Sequence, residues 1–280
     1  MKFVYFGNDF TLPAIHRLIM DGHELIGILS FECDNVFTFN KNCQALAQKN
    51  NIPFIVSPAT ANHLEDFLKK GAQVFLAAGY PHKIPPIDEN KAKAINVHPT
   101  YLPKGRGFVP ITKIILDNMD AAAGFTAHKM TQTFDAGDIL LQRKFALSPA
   151  ETVETYNAKI AMRAPNMLSE LMANLPAFWK NAAPQDKKHA TYLPAPKDQD
   201  RIWDWTKPVR DIDRIGRAYG RSGCLAQIEN QLWAVFDYEF WEEKHSYKSG
   251  ELVASLSREI IIAARDGFFC LKDFQQPDAP

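Results

Sequence analysis

Short apolar runs alternate with segments of helical spacing through the first hundred residues of this chain. The clearest runs, rich in β-favouring residues, occupy positions 2–7, 25–29, 52–56 and 74–78. Between the first two, Leu12, Ile15 and Leu18 recur at the interval of one helix face. Strands that are apolar throughout are typical of a parallel sheet whose two faces are both covered by helices. The sequence therefore predicts an α/β fold built on a mostly parallel sheet.

The second half of the chain follows a different pattern. Two longer strand-like runs at 124–130 and 139–145 predict an antiparallel pair, and residues 151–175 predict a long helix interrupted at Pro165. A polar segment with two prolines is then typical of a linker, and short strand-like runs follow it. We therefore predict a first domain over residues 1–186, a linker over 187–197 and a small, mainly β C-terminal domain over 198–280.

Composition narrows the class of protein. Lysine plus arginine and aspartate plus glutamate number 32 each, so no excess charge draws the chain to nucleic acid or to an acidic membrane. Cys33, Cys43, Cys224 and Cys270 lack C-x-x-C spacing and are interpreted as buried thiols of a reducing compartment. The first residues are typical of a core strand rather than a signal peptide, and no uncharged run has membrane-spanning length. These observations predict a soluble, cytoplasmic protein.

Two separate segments carry an amide, an imidazole and a carboxylate. Asn96 and His98 lie two positions apart, so in an extended strand their side chains point the same way. Asp135 follows in a tight turn between the two predicted antiparallel strands. The carboxyl ends of parallel strands are where open α/β sheets bind ligands. An amide that binds an oxyanion, a histidine that moves a proton and an aspartate that orients the histidine suit acyl transfer to an amine.

Each of these residues also has an ordinary structural explanation. Asn96 and His98 could satisfy backbone groups in a loop, and Asp135 could be a plain turn residue. His128, in the run at 124–130, is a rival imidazole that is interpreted as a packed or wall residue. On the residues alone, these alternatives stay open.

Two glycine-containing loops are further candidates for ligand binding. Residues 100–107 hold two glycines, a proline and two cations, which suits either a loop around an anionic or polar ligand or a solvated turn. The backbone amides at Gly7–Asn8 could bind a phosphate. No Gly-x-Gly-x-x-Gly motif follows them, so a nucleotide fingerprint is not established.

The order and spacing of these segments resemble the folate-dependent formyltransferase family. The resemblance is carried by Asn96-Val97-His98-Pro99, by the loop at 100–107, and by Gly124–Met130 running on to Phe134-Asp135-Ala136-Gly137-Asp138-Ile139. The family includes methionyl-tRNA formyltransferase, glycinamide ribonucleotide formyltransferase and the sugar-nucleotide N-formyltransferases. The resemblance spans residues 1–180 and implies a Rossmann-like domain with helices on both faces of its sheet. The tail resembles the small barrel-like domain that some members carry.

The resemblance also implies roles for particular residues. Asn96, His98 and Asp135 would be catalytic, and 10-formyltetrahydrofolate would be the formyl donor, with no metal ion. The residues implied for folate binding are Tyr80, Lys83, Ile84, Phe134 and Asp138, and those implied for the acceptor are Asn8, Tyr101, Lys104 and Arg106. Two departures from the family pattern lie on the acceptor side: Thr100-Tyr101 replaces Ser-Leu, and Gly105 replaces a bulky residue.

The acceptor amine is predicted from charge. Residues 195–280 hold 12 lysines and arginines against 15 aspartates and glutamates, a net charge of −3, whereas an enzyme that grips tRNA needs a basic surface. The predicted acceptor is therefore a nucleotide-linked amino sugar, as in cell-surface glycan and lipopolysaccharide biosynthesis. No membrane partner is expected, nucleic acid is disfavoured, and a homodimer is allowed. Tyr101, Phe108, Trp203, Trp205 or Trp241 could stack on a nucleotide base, or the tryptophans could anchor the small domain's core.

Three alternatives stay open beside this function. The first is a methionyl-tRNA formyltransferase that acts on initiator tRNA, and the second is a non-catalytic folate-binding protein that keeps the fold. The third is a hydrolase that releases formate, with water in place of the amine. The presence of all three candidate catalytic residues argues against the second alternative, and formate release without an acceptor would identify the third.

Overall fold

The computed structural model describes residues 1–275, which form two compact units. The first unit comprises Met1–Pro110, Asp120–Ala146 and Tyr156–Pro194, and the second comprises Ile111–Met119, Leu147–Thr155 and the chain from Ala195 onward. A mostly parallel sheet with helices and a second, separate sheet are both present, so the predicted fold class is confirmed. Among the described residues, no helix is both long enough and apolar enough to cross a bilayer.

Seven strands form the sheet of the first unit. In chain order they are β1 (Lys2–Gly7), β2 (Glu24–Ser30), β3 (Phe54–Val56), β4 (Val74–Ala78), β5 (Lys93–His98), β6 (Gly124–Lys129) and β7 (Ile139–Lys144). Across the sheet they lie in the order β3-β2-β1-β4-β5-β6-β7. The first five are parallel, and β6 and β7 add an antiparallel pair. The antiparallel pair was predicted from the sequence and is confirmed.

The helices before residue 181 are α1 (Leu12–Met20), α2 (Lys41–Lys49), α3 (Ala61–Lys69), α4 (Pro110–Leu116), α5 (Val153–Ala173) and α6 (Leu175–Lys180). The predicted interruption of α5 at Pro165 is wrong, because the helix continues through the proline. A proline removes one backbone hydrogen bond. Buried neighbours such as Ala164, Met167 and Leu168 keep the helix packed on both sides of it, and such packing supplies most helical stability.

The strands at the centre of the first sheet are buried, which explains why the candidate site lies at the carboxyl ends of the strands. All five residues of β4 and the last five of β1 are buried, as expected for strands covered on both faces. Parallel strands end at a common edge, where the loops that follow them meet. β5 runs two residues beyond Asn96, where the sequence placed its end, and so brings His98 to this edge within the sheet.

The second unit is a six-stranded sheet with one longer helix. The strands are β8 (Ile202–Trp203), β9 (Cys224–Ile228), β10 (Gln231–Glu242), β11 (Leu252–Ser255), β12 (Ile260–Ala263) and β13 (Gly267–Gln275), and the helix is α7 (Val209–Tyr219). Their order in the sheet is β11-β12-β13-β10-β9-β8. The rings of Trp203 and Trp205 pack on Phe269 at centroid distances of 4.9 and 5.6 Å. Both tryptophans are therefore core residues, not platforms for a nucleotide base.

Part of the predicted linker is bound to the first unit. Arg106 N donates to Thr191 O over 2.9 Å, and Leu193 N donates to Arg106 O over 2.7 Å. Leu193 is also buried. The segment around residue 191 is therefore held as an extended strap along the loop at 100–107, rather than as a free connection.

The cysteines differ from the expectation at two positions. All four are free thiols, and Cys43 and Cys224 are buried as predicted, whereas Cys33 and Cys270 are only partly buried. Burial raises the pKa of Cys224 to about 12, so this residue stays a thiol rather than a reactive thiolate.

Candidate active site

Two neighbouring strand ends carry most of the candidate catalytic side chains. On β5, Asn96 and His98 alternate with the buried Val97, so both point to the same face of the sheet. On the antiparallel β6, His128 lies opposite Asn96 and Thr126 lies opposite His98. Cross-strand partners share a face. The fold therefore collects four polar side chains on one face at the end of β5.

Asp135 reaches this group from the turn between β6 and β7. Its Oδ1 lies 3.3 Å from His98 Nδ1 and 3.5 Å from Asn96 Nδ2. Its Oδ2 accepts a hydrogen bond of 3.0 Å from Gly107 N. The three side chains that the sequence singled out thus lie within reach of one another, and the carboxylate joins them to the loop at 100–107. Their catalytic roles stay a prediction.

Opposing influences act on the proton of His98. Nε2 lies 2.8 Å from the carbonyl oxygen of Gly105 and Nδ1 faces Asp135, so both nitrogens donate only when the ring is protonated. Burial, with 4% of the residue exposed, lowers the pKa of His98, while the Asp135 carboxylate and the Gly105 carbonyl act the other way. An imidazole under such opposed influences suits proton transfer.

The carboxyl group of Asp135 is held in its ionised form. Burial alone would raise its pKa, because charge is costly away from water. The charge of His98 and the hydrogen bond from Gly107 N–H act the other way, and the pKa of Asp135 lies below its ordinary value of 3.8. A negative charge is therefore fixed beside the His98 ring.

We expect the free energy of unfolding to depend on pH through His98. The folded protein binds this proton less readily than the unfolded chain, whose histidine titrates near its ordinary value of 6.5. The contribution of His98 to stability is therefore complete above pH 6.5 and is lost as the pH falls through the lower folded pKa. Denaturant unfolding of wild type and His98→Gln across this range should show a shallower loss in the variant. Identical pH dependence in both proteins would contradict the assignment.

His128 orients the amide of Asn96. Its Nδ1 lies 2.8 Å from the carbonyl oxygen of Lys129, a partner that requires a proton on Nδ1 and leaves Nε2 as an acceptor. Asn96 Nδ2 donates to that Nε2 over 3.1 Å. One amide hydrogen is thereby fixed, which directs the other away from His128. His128 is buried, as its interpretation as a wall residue required, but it also sets the direction of the Asn96 donor.

The loop after β5 has a backbone that favours glycine at position 105. Gly105 has φ +76°, in the left-handed region that side chains disfavour. A Cβ atom there would lie 2.9 Å from Thr100 Cγ2. The departure from a bulky residue at this position therefore follows from the loop conformation, which also aims the Gly105 carbonyl at His98.

The four residues implied for the acceptor have different surroundings. Arg106 donates from Nε and Nη2 to Gln185 Oε1 over 3.1 and 2.7 Å, so two of its nitrogens bind the protein itself. The Asn8 side-chain oxygen accepts a backbone N–H over 3.2 Å and begins a short 3-10 helix. Tyr101 and Lys104 are partly exposed in the loop. Arg106 and Asn8 thus have structural partners.

The five residues implied for folate binding do not form one group. Tyr80 and Ile84 pack against a buried cluster of the first unit, and the Tyr80 hydroxyl donates to a backbone carbonyl over 2.7 Å. Lys83 and Phe134 are exposed, and Asp138 lines a cavity. Within residues 1–275, no three His, Cys, Asp or Glu side chains gather in a way that could hold a metal ion.

This cavity, of about 410 Å³, lies beside the candidate catalytic residues. Its walls are formed by Ile87, Glu89, Ala94, Lys129, Met130, Thr131, Ala136, Gly137, Asp138 and Trp179. Ala94 precedes Asn96 by two positions on β5 and so shares its face, and Ala136 directly follows Asp135. The cavity therefore adjoins Asn96 and Asp135 through their chain neighbours Ala94 and Ala136. Its volume is in the range of small-molecule sites.

Trp179 is the largest side chain in the cavity wall, and three groups hold it. Its Nε1 donates to Glu89 Oε2 over 3.0 Å. The ammonium groups of Lys93 and Lys129 lie 4.8 and 4.7 Å from the ring centroid, within the range of cation–π attraction. The indole ring is thus fixed in place as a flat apolar wall.

No role was predicted from the sequence for Gln185 or Trp179, and His128 was predicted to be only a packed or wall residue. The antiparallel pairing of β5 with β6 places His128 opposite Asn96, a register that was not worked out from the sequence. Gln185 lies fifty positions after Asp135 in a polar segment with no periodic pattern. Nothing in that segment distinguishes it, because only the folded chain brings it to the site.

Family models match most of the chain. The formyl transferase model covers residues 39–172, and the model of the formyl transferase C-terminal domain covers residues 196–279. A methionyl-tRNA formyltransferase from a Geobacillus strain is 30% identical over 256 residues, which cover 87% of this chain and 78% of that protein.

Solved structures share the fold. A variant of HypX from Aquifex aeolicus matches 99% of this chain with a TM-score of 0.73 at 18% identity, and the chain spans 46% of that protein's length. An N-formyltransferase from Helicobacter canadensis, crystallised with folinic acid and dTDP-3-aminofucose, matches 98% of this chain and 99% of its own with a TM-score of 0.67 at 15% identity. With both family models matched and a relative 30% identical over most of its length, the chain belongs to the folate-dependent formyltransferase family.

Proposed function

We propose that this protein is an N-formyltransferase that moves a formyl group from 10-formyltetrahydrofolate to the primary amine of a nucleotide-linked amino sugar. One observation carries the proposal: Asn96, His98 and Asp135 lie within reach of one another, and the chain neighbours Ala94 and Ala136 line a cavity next to them. Donor binding and chemistry then need no large rearrangement. Family membership supports formyl transfer, and the identities of donor and acceptor are the proposed part.

The cavity suits the fused rings of a reduced folate. Ile87, Met130 and Trp179 give it apolar walls, and Thr131 and Asp138 add polar groups, the usual combination for a heterocyclic ligand. Residues two apart on a strand are separated by roughly 7 Å. A ring beside Ala94 can therefore extend its formyl-bearing end to Asn96. HypX has been crystallised with tetrahydrofolic acid, and the Helicobacter canadensis enzyme with folinic acid, which supports this donor class.

The proposed reaction proceeds by direct attack of the amine on the formyl carbon. The new C–N bond gives a tetrahedral intermediate with an oxyanion, which Asn96 Nδ2–H and protonated His98 stabilise. The formyl oxygen takes the place of the Gly105 carbonyl as the acceptor from His98 Nε2. The amine proton passes through water to the Asp135 carboxylate, and protonated His98 gives its proton to the folate nitrogen as the bond from that nitrogen to carbon breaks. Asp135 then releases its proton to water and His98 takes one up, which restores the starting state. Asp135 keeps the imidazole oriented and stabilises its charge.

The acceptor side favours a flat apolar group. Phe108 follows Gly107, so a side chain that is 67% exposed lies next to the Gly107–Asp135 hydrogen bond. Exposed phenyl rings are suited to stacking on a nucleobase. The net charge of −3 over residues 195–280 gives no basic surface for RNA. The dTDP-3-aminofucose bound to the Helicobacter canadensis enzyme supports the same acceptor class.

A second candidate acceptor is charged initiator tRNA, because the relative that is 30% identical is a methionyl-tRNA formyltransferase. A panel assay separates the two. Wild type is incubated with 10-formyltetrahydrofolate and either nucleotide-linked amino sugars or charged initiator tRNA, and products are read by mass spectrometry. We expect a gain of one formyl mass on a nucleotide-linked sugar. A gain on the tRNA alone would overturn the proposed acceptor.

Replacement of Trp179 by alanine should weaken donor binding more than it slows the chemistry. The indole forms a large part of the apolar wall, and its loss is expected to raise the Kd of folinic acid by about 10- to 100-fold. At saturating donor, kcat should change little. Isothermal titration calorimetry measures the Kd, with Trp241→Ala as the control, since Trp241 is a half-exposed tryptophan of the second unit. Equal folinic acid affinity in wild type and Trp179→Ala would exclude this cavity as the donor site.

A further inference from the structure

Gln185 uses all of its hydrogen-bonding groups to join two segments of the site. Its Nε2 donates to the carbonyl oxygens of Asp135 and Gly137, each over 2.7 Å. Its Oε1 accepts from Nε and Nη2 of Arg106. The residue is 9% exposed, so these bonds form away from competing water. A buried amide with both hydrogens and its oxygen engaged is a rigid connection.

The Asp135 end of this connection holds an unusual backbone conformation. Asp135 has φ +55°, in the left-handed region that residues other than glycine rarely adopt. Such a conformation persists only where surrounding contacts enforce it. Gln185 binds the carbonyl of Asp135 itself and that of Gly137 two residues later, so it fixes the turn on both sides of Ala136. The direction of the turn determines where the Asp135 carboxylate points.

The Arg106 end of the connection holds the loop that completes the site. Arg106 lies between Gly105, whose carbonyl faces His98 Nε2, and Gly107, whose N–H binds Asp135 Oδ2. The backbone of Arg106 is paired with Thr191 and Leu193, in the strap that follows Gln185 in the chain. Both partners of the His98–Asp135 pair therefore depend on segments that Gln185 ties together.

We propose that Gln185 is a positioning residue of the transfer reaction, which sets the Asp135 carboxylate against His98 and fixes the loop at 100–107 beside them. This inference rests on the proposed function, because it assumes that His98 and Asp135 act in catalysis. Gln185 touches neither substrate. Its effect reaches the reaction only through the geometry of Asp135 and Arg106.

Kinetics of Gln185→Ala test this role. We expect kcat to fall by about 10- to 100-fold, as is typical when a group that orients a catalytic residue is lost, with little change in the KM of either substrate. The pH profile of kcat should shift as well, because Asp135 no longer holds His98 in the same way. Gln185→Glu should be no better than alanine, since a carboxylate cannot donate to two carbonyls. Gln73→Ala, which removes an exposed hydrogen bond to Lys2 N, is the control.

A second pair of variants covers the case in which Gln185→Ala does not fold. Gln185→Asn keeps the amide on a shorter side chain, and Arg106→Lys removes the two-pronged donor, so both should lower kcat with thermal unfolding close to wild type. Wild-type transfer with kcat and pH profile unchanged in all folded variants would overturn this inference and leave the proposed function standing. Absence of transfer by wild type to any amine would overturn the proposed function itself.

Discussion

Replacement of Asp135 by asparagine should lower kcat for formyl transfer by about 1000-fold, a loss typical of removing the charge that orients a catalytic histidine. The amide keeps the shape of the carboxyl group but removes the charge 3.3 Å from His98 Nδ1. That charge raises the pKa of His98 against the effect of burial. Without it, burial lowers the pKa of His98 further, and less of the protonated imidazole is present to stabilise the oxyanion.

Rapid-quench transfer from 10-formyltetrahydrofolate, with product read by mass spectrometry, measures this effect. Folinic acid should bind Asp135→Asn with nearly the wild-type Kd, because the cavity walls are unchanged. Asp66→Asn is the matched control, since Asp66 pairs with Lys69 on the surface of α3. A kcat for Asp135→Asn equal to that of the control would remove Asp135 from the catalytic group.

Replacement of Asn96 by alanine is expected to lower kcat by about 100- to 1000-fold, the usual loss for one oxyanion-binding donor. Asn96 lies between the cavity and His98, and His128 fixes the direction of its amide. Because Asn96 and His98 stabilise the same oxyanion, their effects should not be independent. In the double variant Asn96→Ala with His98→Ala, kcat should fall by a smaller factor than the product of the two single-variant factors.

The rate constant of formyl transfer is measured for wild type, the two single variants and the double variant. Single-turnover conditions are used, because product release then does not contribute. Thermal unfolding of each variant shows whether its fold is retained. Losses that multiply independently in the double variant would mean that the two residues act at different steps. A kcat for Asn96→Ala within about threefold of wild type, far less than the loss of a donor costs, would show that its amide does not bind the oxyanion.

The fold of the first unit can be predicted from the sequence because its central strands are buried on both faces. The uninterrupted apolar residues of β1 and β4 leave a pattern that helices do not share. β11 and the end of β13 in the second unit are partly exposed, so burial on both faces does not mark them in the same way. The predicted interruption of α5 at Pro165 is wrong, because the packing of the helix outweighs the backbone hydrogen bond that the proline removes.

From the sequence, we could predict only those site residues whose relative positions follow from local backbone geometry. Asn96 and His98 share a face because a strand alternates its side chains, and Asp135 sits in the turn that joins the next two strands. Gln185 and Trp179 come from the segment after α5, and their contacts depend on where the folded chain returns. No spacing rule relates such residues to the strands, so tertiary structure alone identifies them.

A crystal structure of the protein with folinic acid bound tests the central claim most directly. The account predicts the pterin ring in the cavity against Trp179, with the end that carries the transferable one-carbon unit directed at Asn96, His98 and Asp135. Folinic acid bound elsewhere, or in the cavity with that end pointing away from Asn96 and His98, would contradict it.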